Sequence, residues 1–175
     1  MTTLTVTLDV EAVMRKLRPL GAQACQTAWR RTLKKSSRWI ATQTAKAISQ
    51  QTKIPQKLIK KRLYFFPKSA SSGKVWLGLN PLPAHHLGQP KQTRTGVSVG
   101  RYHFAGAWLM RYRAPNGPVF RRLTPKSARY GNVTVAWSSA GEAAFTAAAR
   151  QLRPRLLTVL AQEVNYAIHQ ALAKT

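Results

Sequence analysis

Acidic side chains are nearly missing from this 175-residue chain, in which Asp9, Glu11, Glu142 and Glu163 face 29 Lys plus Arg. No carboxylate side chain occurs from Ala12 to Gly141, and that stretch holds 25 of the 29 cations. Ordinary solvated surfaces mix both signs. A net charge of +25 makes the compact state repel itself unless anions lie close by. A nucleic acid, an acidic protein ring or both are the expected neighbours. The same scarcity argues against a metal-dependent nuclease or toxin, whose chemistry needs convergent carboxylates or histidines. Asp9 reads instead as a helix cap and Glu11 as a favourable charge in the first turn.

Cysteine is limited to Cys25, which excludes an intrachain disulfide and points to assembly inside a cell. Cys25 falls on an apolar helical stripe, where a buried, inert thiol is the common case. The four histidines do not complete a zinc pattern. His85 and His86 are adjacent, so in a strand they would face opposite ways, and His103 and His169 stand alone. No glycine pair has the spacing of a phosphate-binding loop. No apolar run approaches the ~20 residues of a membrane span, and Met1 to Val10 lacks the basic and apolar regions of a signal peptide. The expectation is a non-enzymatic protein made in a cytoplasm, with no cofactor, metal or membrane partner.

What is present suits a folded domain. Apolar residues make up 44% of the chain and five are Trp, which excludes a disordered basic tail. Leu4 to Leu8 alternates apolar residues with Thr, the period of a strand. From Ala22 to about Thr52 there is no Pro or Gly, and the abundant Ala, Gln, Lys and Arg favour one long helix. Its apolar line runs through Cys25, Ala28 or Trp29, Leu33, Ile40 and Ala47 or Ile48. Pro55 opens a short second helix reaching about Arg62. Lys74 to Leu79 and Asn132 to Trp137 read as strands, Asn80 to Pro83 as a break, and Lys91 to Gly100 as an exposed polar loop. Asn116-Gly117 between two apolar runs signals a hairpin, lengthened by Pro115 and Pro118. From Gly141 helix returns, with Pro154 kinking or dividing it and Leu156, Leu160, Val164 and Ile168 on one stripe.

The order helix, strands, helix predicts an α+β domain in which a long N-terminal helix and C-terminal helices pack on a central antiparallel sheet with a long hairpin. A single domain over 1–175 divides into a helical part at 22–62, a β-rich centre at 63–138 with a loop at 88–100, and C-terminal helices at 139–174. Three basic clusters stand out. The first is Arg30, Arg31, Lys34, Lys35 and Arg38, whose helical spacing lets several span neighbouring phosphates. The second is Lys53, Lys57, Lys60, Lys61 and Arg62. The third is Arg111, Arg113, Arg121 and Arg122, with Tyr112 and Phe120 between them. No zinc finger or other reading head is present, so contact at the level of the backbone phosphates is expected. Trp108 and Trp137 read as core or interface aromatics, and Leu156, Leu160, Val164 and Ile168 as core or oligomer contacts.

These segments, taken in order, resemble the minor tail protein Z family of lambda-like phages and prophages, the tail completion proteins. The resemblance runs through Thr52-Lys53-Ile54-Pro55-Gln56-Lys57-Leu58-Ile59-Lys60-Lys61-Arg62, then Leu82-Pro83 to Leu87-Gly88. It continues at Gly106-Ala107-Trp108 and from Asn116-Gly117 to Val119-Phe120-Arg121-Arg122. It closes with Phe145 and the helix Leu152 to Lys174, including Tyr166-Ala167-Ile168-His169-Gln170. It covers roughly Ala22 to Lys174 as a series of local matches. The chain departs from the pattern in a shorter, less arginine-dense loop at Lys91 to Gly100 and in a slightly displaced Pro154. The resemblance implies a structural virion protein without catalytic residues, forming a ring, a hexamer, at the head-proximal end of a phage tail. There it would complete the tail and join it to the head, beside the DNA end. Implied partners are further copies of itself, tail terminator or tail tube proteins, head–tail connector proteins and phage DNA in the channel, with assembly in the host cytoplasm. The alternative is a soluble, non-specific nucleic-acid-binding protein using the same clusters without a ring.

Overall fold

The computed structural model describes residues 3–7, 22–67, 72–110 and 117–172. Helix α1, Ala22–Thr52, follows the expected bounds. Its buried line includes Cys25, Ala28, Trp29, Leu33, Ile40 and Ile48. Thr32, also buried, returns its hydroxyl to the Ala28 carbonyl at 2.9 Å, which satisfies a polar group inside the packed face. The helix stops where Lys53 takes φ 59°, a left-handed geometry that costs a side-chain-bearing residue. The Lys53 N–H still donates to Ser49 O at 3.1 Å. Helix α2, Gln56–Lys60, begins directly after Pro55, because the fixed φ of proline suits a helix start.

Eleven strands occur among the described residues, all paired antiparallel. Strands β1 (Thr3–Thr7), β2 (Leu63–Pro67) and β3 (Gly73–Gly78) form one sheet in the order β1-β3-β2. Strand β4, Leu82–Pro83, pairs with the late strand β11, Thr134–Val135, so the expected break at Asn80 to Pro83 contains a short pairing. Strands β5 (Pro90–Gln92), β6 (Gly96–Val99) and β7 (Tyr102–Ala105) form the next sheet. The last sheet is β8 (Ala107–Leu109), β9 (Val119–Arg122) and β10 (Tyr130–Asn132), in the order β10-β9-β8. The expected hairpin is the β8–β9 pair; the tip containing Asn116 lies outside the described residues. So do the expected cap at Asp9 and the charge at Glu11.

The expected loop at 88–100 is corrected by these strands. Lys91 and Gln92 are exposed, but Pro90, Val97 and Val99 turn inward. The polar residues of this stretch face water while every second residue of β6 enters the core. Gly100, at φ 58°, makes the tight turn between Val99 and Tyr102, which pair across it. Gln92 fastens the hairpin to its neighbour. Its side-chain amide donates to Gly96 O at 3.0 Å and Ala107 O at 3.3 Å, and its carbonyl accepts from Leu109 N–H at 3.0 Å.

Helix α3 runs unbroken from Ser138 to Leu172 through Pro154, which corrects the expected division into C-terminal helices. Phe145, Leu152, Leu156, Leu160 and Glu163 are buried along one side, whereas Pro154 is exposed. On a helical projection Pro154 lies opposite that buried side, so water can hydrate the carbonyl its missing N–H leaves unpaired. Helices α1 and α3 lie antiparallel. Ile40, Ala45 and Ile48 share the main core with Ala144, Phe145, Ala148 and Leu152, beneath the sheets. Farther out, Trp29 and Leu33 meet Leu156 and Leu160 in a separate small cluster. The α+β class therefore holds, with four small antiparallel sheets in the place of the central one.

Candidate anion and partner interfaces

All five cations of the first cluster are exposed on α1, on the side away from Trp29, Leu33 and Ile40. The structure divides them. Arg30, Lys34 and Arg38 recur at steps of four and form one outward row. Arg31 and Lys35 turn to Glu163 on α3. Arg31 Nη1 stands 4.0 Å from Glu163 Oε2, and Lys35 Nζ makes the closer ion pair with Oε1. The Glu163 side chain is only 5% exposed, so its charge is met by two cations that remain largely in water. The Arg31 guanidinium also lies 5.3 Å above the Tyr166 ring, a cation–π contact.

The second cluster divides as well. Lys53, Lys57, Lys60 and Lys61 are exposed and Arg62 is half-buried. Lys61 and Arg62, with Leu58, Leu82 and His86, line a cavity of about 410 Å³. His86 belongs to the single turn Ala84–His86, and its ring meets that of His85 edge-on at 4.3 Å. Burial, and then the neighbouring His86, push the His85 imidazole below its ordinary value of 6.5.

In the third cluster, Arg111 and Arg113 lie outside the described residues. Arg121 and Arg122 are exposed on β9. Arg122 pairs across the sheet with Tyr130, and Phe120 with Trp108. Trp108 and Phe120 pack edge-on against Tyr130 at 5.7 and 5.5 Å. A second cavity, of about 530 Å³, opens between Gly106, Trp108, Arg121, Arg122 and Leu123.

The expected contact residues fall into two groups. Trp137, Leu156 and Leu160 are buried core, and Trp137 Nε1–H donates to Asn80 O at 2.9 Å. Trp108, Val164 and Ile168 are half-buried. Sequence reasoning missed an aromatic face on the first sheet. Tyr64 and Phe66 project outward from β2, and Tyr64 lies 5.4 Å from the Trp76 ring of β3. The run Leu63-Tyr64-Phe65-Phe66 is apolar at every position, so it carries no alternation to reveal which side faces water. Arg150, Arg153 and Arg155, exposed on α3, were also passed over; their density near Pro154 was a readable signal.

Among the described residues no three His, Cys, Asp or Glu side chains come together as metal ligands. No helix among them is long and apolar enough to cross a membrane. No family model, no curated protein and no solved structure matches the chain.

Proposed function

We propose that this protein is a structural subunit of a phage or phage-derived tail, a ring-forming tail completion protein at the head-proximal end that helps join tail to head near the DNA. One observation carries the reading: the chain's charge has almost no internal partner. Among the described residues the carboxylate side chains are Glu142 and Glu163, and Glu163 is already engaged by Arg31 and Lys35. The row Arg30, Lys34 and Arg38 and the β9 pair Arg121 and Arg122 therefore call for an external anion. A channel holding DNA, or an acidic neighbouring ring, supplies one.

The exposed aromatic residues add support. Tyr64 and Phe66 lie on one sheet, and Tyr130 and Leu123 on or beside another. A head-to-tail ring needs two unlike patches on each subunit, since every copy offers one and receives the other. The order of sequence features resembling tail protein Z points the same way. Negative-stain electron microscopy of the purified chain, alone and with isolated tails, tests the reading. Closed rings of one size, or rings capping tail ends, are the expected images. Filaments coating added DNA with no ring would replace it with the non-specific nucleic-acid-binding protein, which the phosphate-scale spacing of Arg30, Lys34 and Arg38 favours.

A further inference from the structure

We infer that the cavity between α2 and the turn at Ala84–His86 is a receptor for an acidic segment of a partner protein. One carboxylate would meet Lys61, Arg62 and His86, and a neighbouring apolar side chain would rest on Leu58 and Leu82. The inference concerns what fills this cavity and holds whether or not the subunits close into a ring.

Three features support a formed site. The polar groups come from positions whose backbone is fixed before any ligand arrives. Arg62 N–H donates to Ile59 O at 2.9 Å, and Arg62 O accepts from Gly78 N–H at 3.0 Å. The turn carrying His86 is closed by Leu87 N–H to Ala84 O at 3.0 Å and anchored by Ala84 N–H to Val133 O at 2.8 Å. Such preorganisation lowers the ordering cost of binding. The wall is also chemically mixed: half-buried Leu58, with buried Leu82 behind it, lines the hollow beside two permanent cations and an imidazole. Finally, the hollow of about 410 Å³ lies within the usual range of ligand pockets.

The same features separate a protein carboxylate from a nucleic-acid phosphate. Duplex phosphates run along an outer surface and are met by exposed, evenly spaced cations, the arrangement of Arg30, Lys34 and Arg38. A concave site with a leucine floor offers a phosphate backbone nothing for its sugars and bases. A carboxylate followed by an apolar side chain uses both halves, and guanidinium–carboxylate pairing is among the stronger hydrogen-bonded contacts. Lys61 and Arg62 thus leave the nucleic-acid set and become protein-facing.

The test is fluorescence anisotropy with a labelled octapeptide of alternating Glu and Leu, its Gln-for-Glu counterpart and a labelled oligothymidine. Each is titrated into the full chain and two double variants. Lys61→Gln/Arg62→Gln removes the cavity's cations; Lys57→Gln/Lys60→Gln removes the same charge from α2 outside it. The Glu peptide should bind, and the cavity variant should weaken it about tenfold, a typical cost for losing a charge-assisted contact, while the control changes it less than twofold. Oligothymidine should be weakened more by the control than by the cavity variant, and the Gln peptide should bind weakly to all. His86→Ala, tested alongside, should also weaken the Glu peptide, and melting curves must show each variant folded. Equal loss of the Glu peptide in both double variants, or a loss confined to oligothymidine in the cavity variant, overturns the inference. Light scattering on the same samples reports ring formation separately.

Discussion

The inner and outer halves of the helical pair are built from the same kind of sequence but held by different means. The inner half, Ile40 to Ile48 against Ala144 to Leu152, shares one continuous core with the strands. The outer half centres on a small cluster of Trp29, Leu33, Leu156 and Leu160, with Phe65 and Val164 at its edge. Trp29 Nε1 is buried there without a hydrogen-bond partner among the described residues, and Glu163 bridges the helices through ion pairs. Fixed β-rich body and lightly cored helical end are therefore distinct regions of one domain. An element with few buried contacts opens locally at lower cost than the whole molecule. The outer half also carries Arg30 and Lys34, so part of the basic row sits on the more lightly cored region.

The largest expected effects break the comparison directly. Phe145→Ala should destabilise the whole protein by about 3–5 kcal/mol, because it opens a cavity in the shared core. Leu160→Ala should cost about 2–3 kcal/mol and act differently. Hydrogen exchange should quicken in residues 24–35 and 156–168 while strands β6 and β9 stay protected. Equal acceleration everywhere would merge the two regions into one cooperative unit.

A smaller change sharpens the contrast from the other side. Pro154→Ala restores a helical N–H at an exposed position and should stabilise α3 by about 1–2 kcal/mol, the gain in helix propensity being partly offset by a freer unfolded chain. Thermal melting and slower exchange beyond residue 154 would register it. Glu163→Gln should cost about 1 kcal/mol or less, since the cations it meets are mostly in water. It should also remove part of the salt sensitivity of exchange in the outer half.

The smallest effects are in pH. His85 is held below 6.5 chiefly by burial, so the folded state takes up its proton less readily than the unfolded one. The stability it contributes is complete above about pH 6.5 and is lost as pH falls below that value. Burial likewise holds the Tyr102 hydroxyl above its ordinary 10.0, against a smaller opposing contribution from the Thr52 side chain. Its contribution is complete below pH 10 and declines as pH rises beyond it. Melting temperature followed across both ranges, against His85→Gln and Tyr102→Phe, separates the two slopes.

Much of this was legible in the residues. The bounds of α1 followed from the absence of Pro and Gly between Ala22 and Thr52, and its buried line from steps of three, four and seven. The antiparallel hairpin followed from Asn116-Gly117. What was not legible depended on contacts distant in sequence. The hairpin at 90–99 read as a loop because its outward residues are polar and its inward ones are only Pro90, Val97 and Val99. Pro154 read as a kink or division because proline removes a helical N–H, although the apolar stripe around it already placed it on the side away from the core, where the helix runs on. The division of the basic clusters was equally hidden: that Arg31 and Lys35 meet Glu163, and that Lys61 and Arg62 line one cavity with His86, depends on how distant segments return to each other.

The solution mass of the purified chain, by light scattering at low and high salt with and without a short DNA duplex, tests the central claim most directly. The account predicts one closed oligomer of fixed mass, present alone or formed when tail components are added. A persistent monomer or dimer that coats DNA, with binding that falls steeply with salt and no response to tail components, would contradict it.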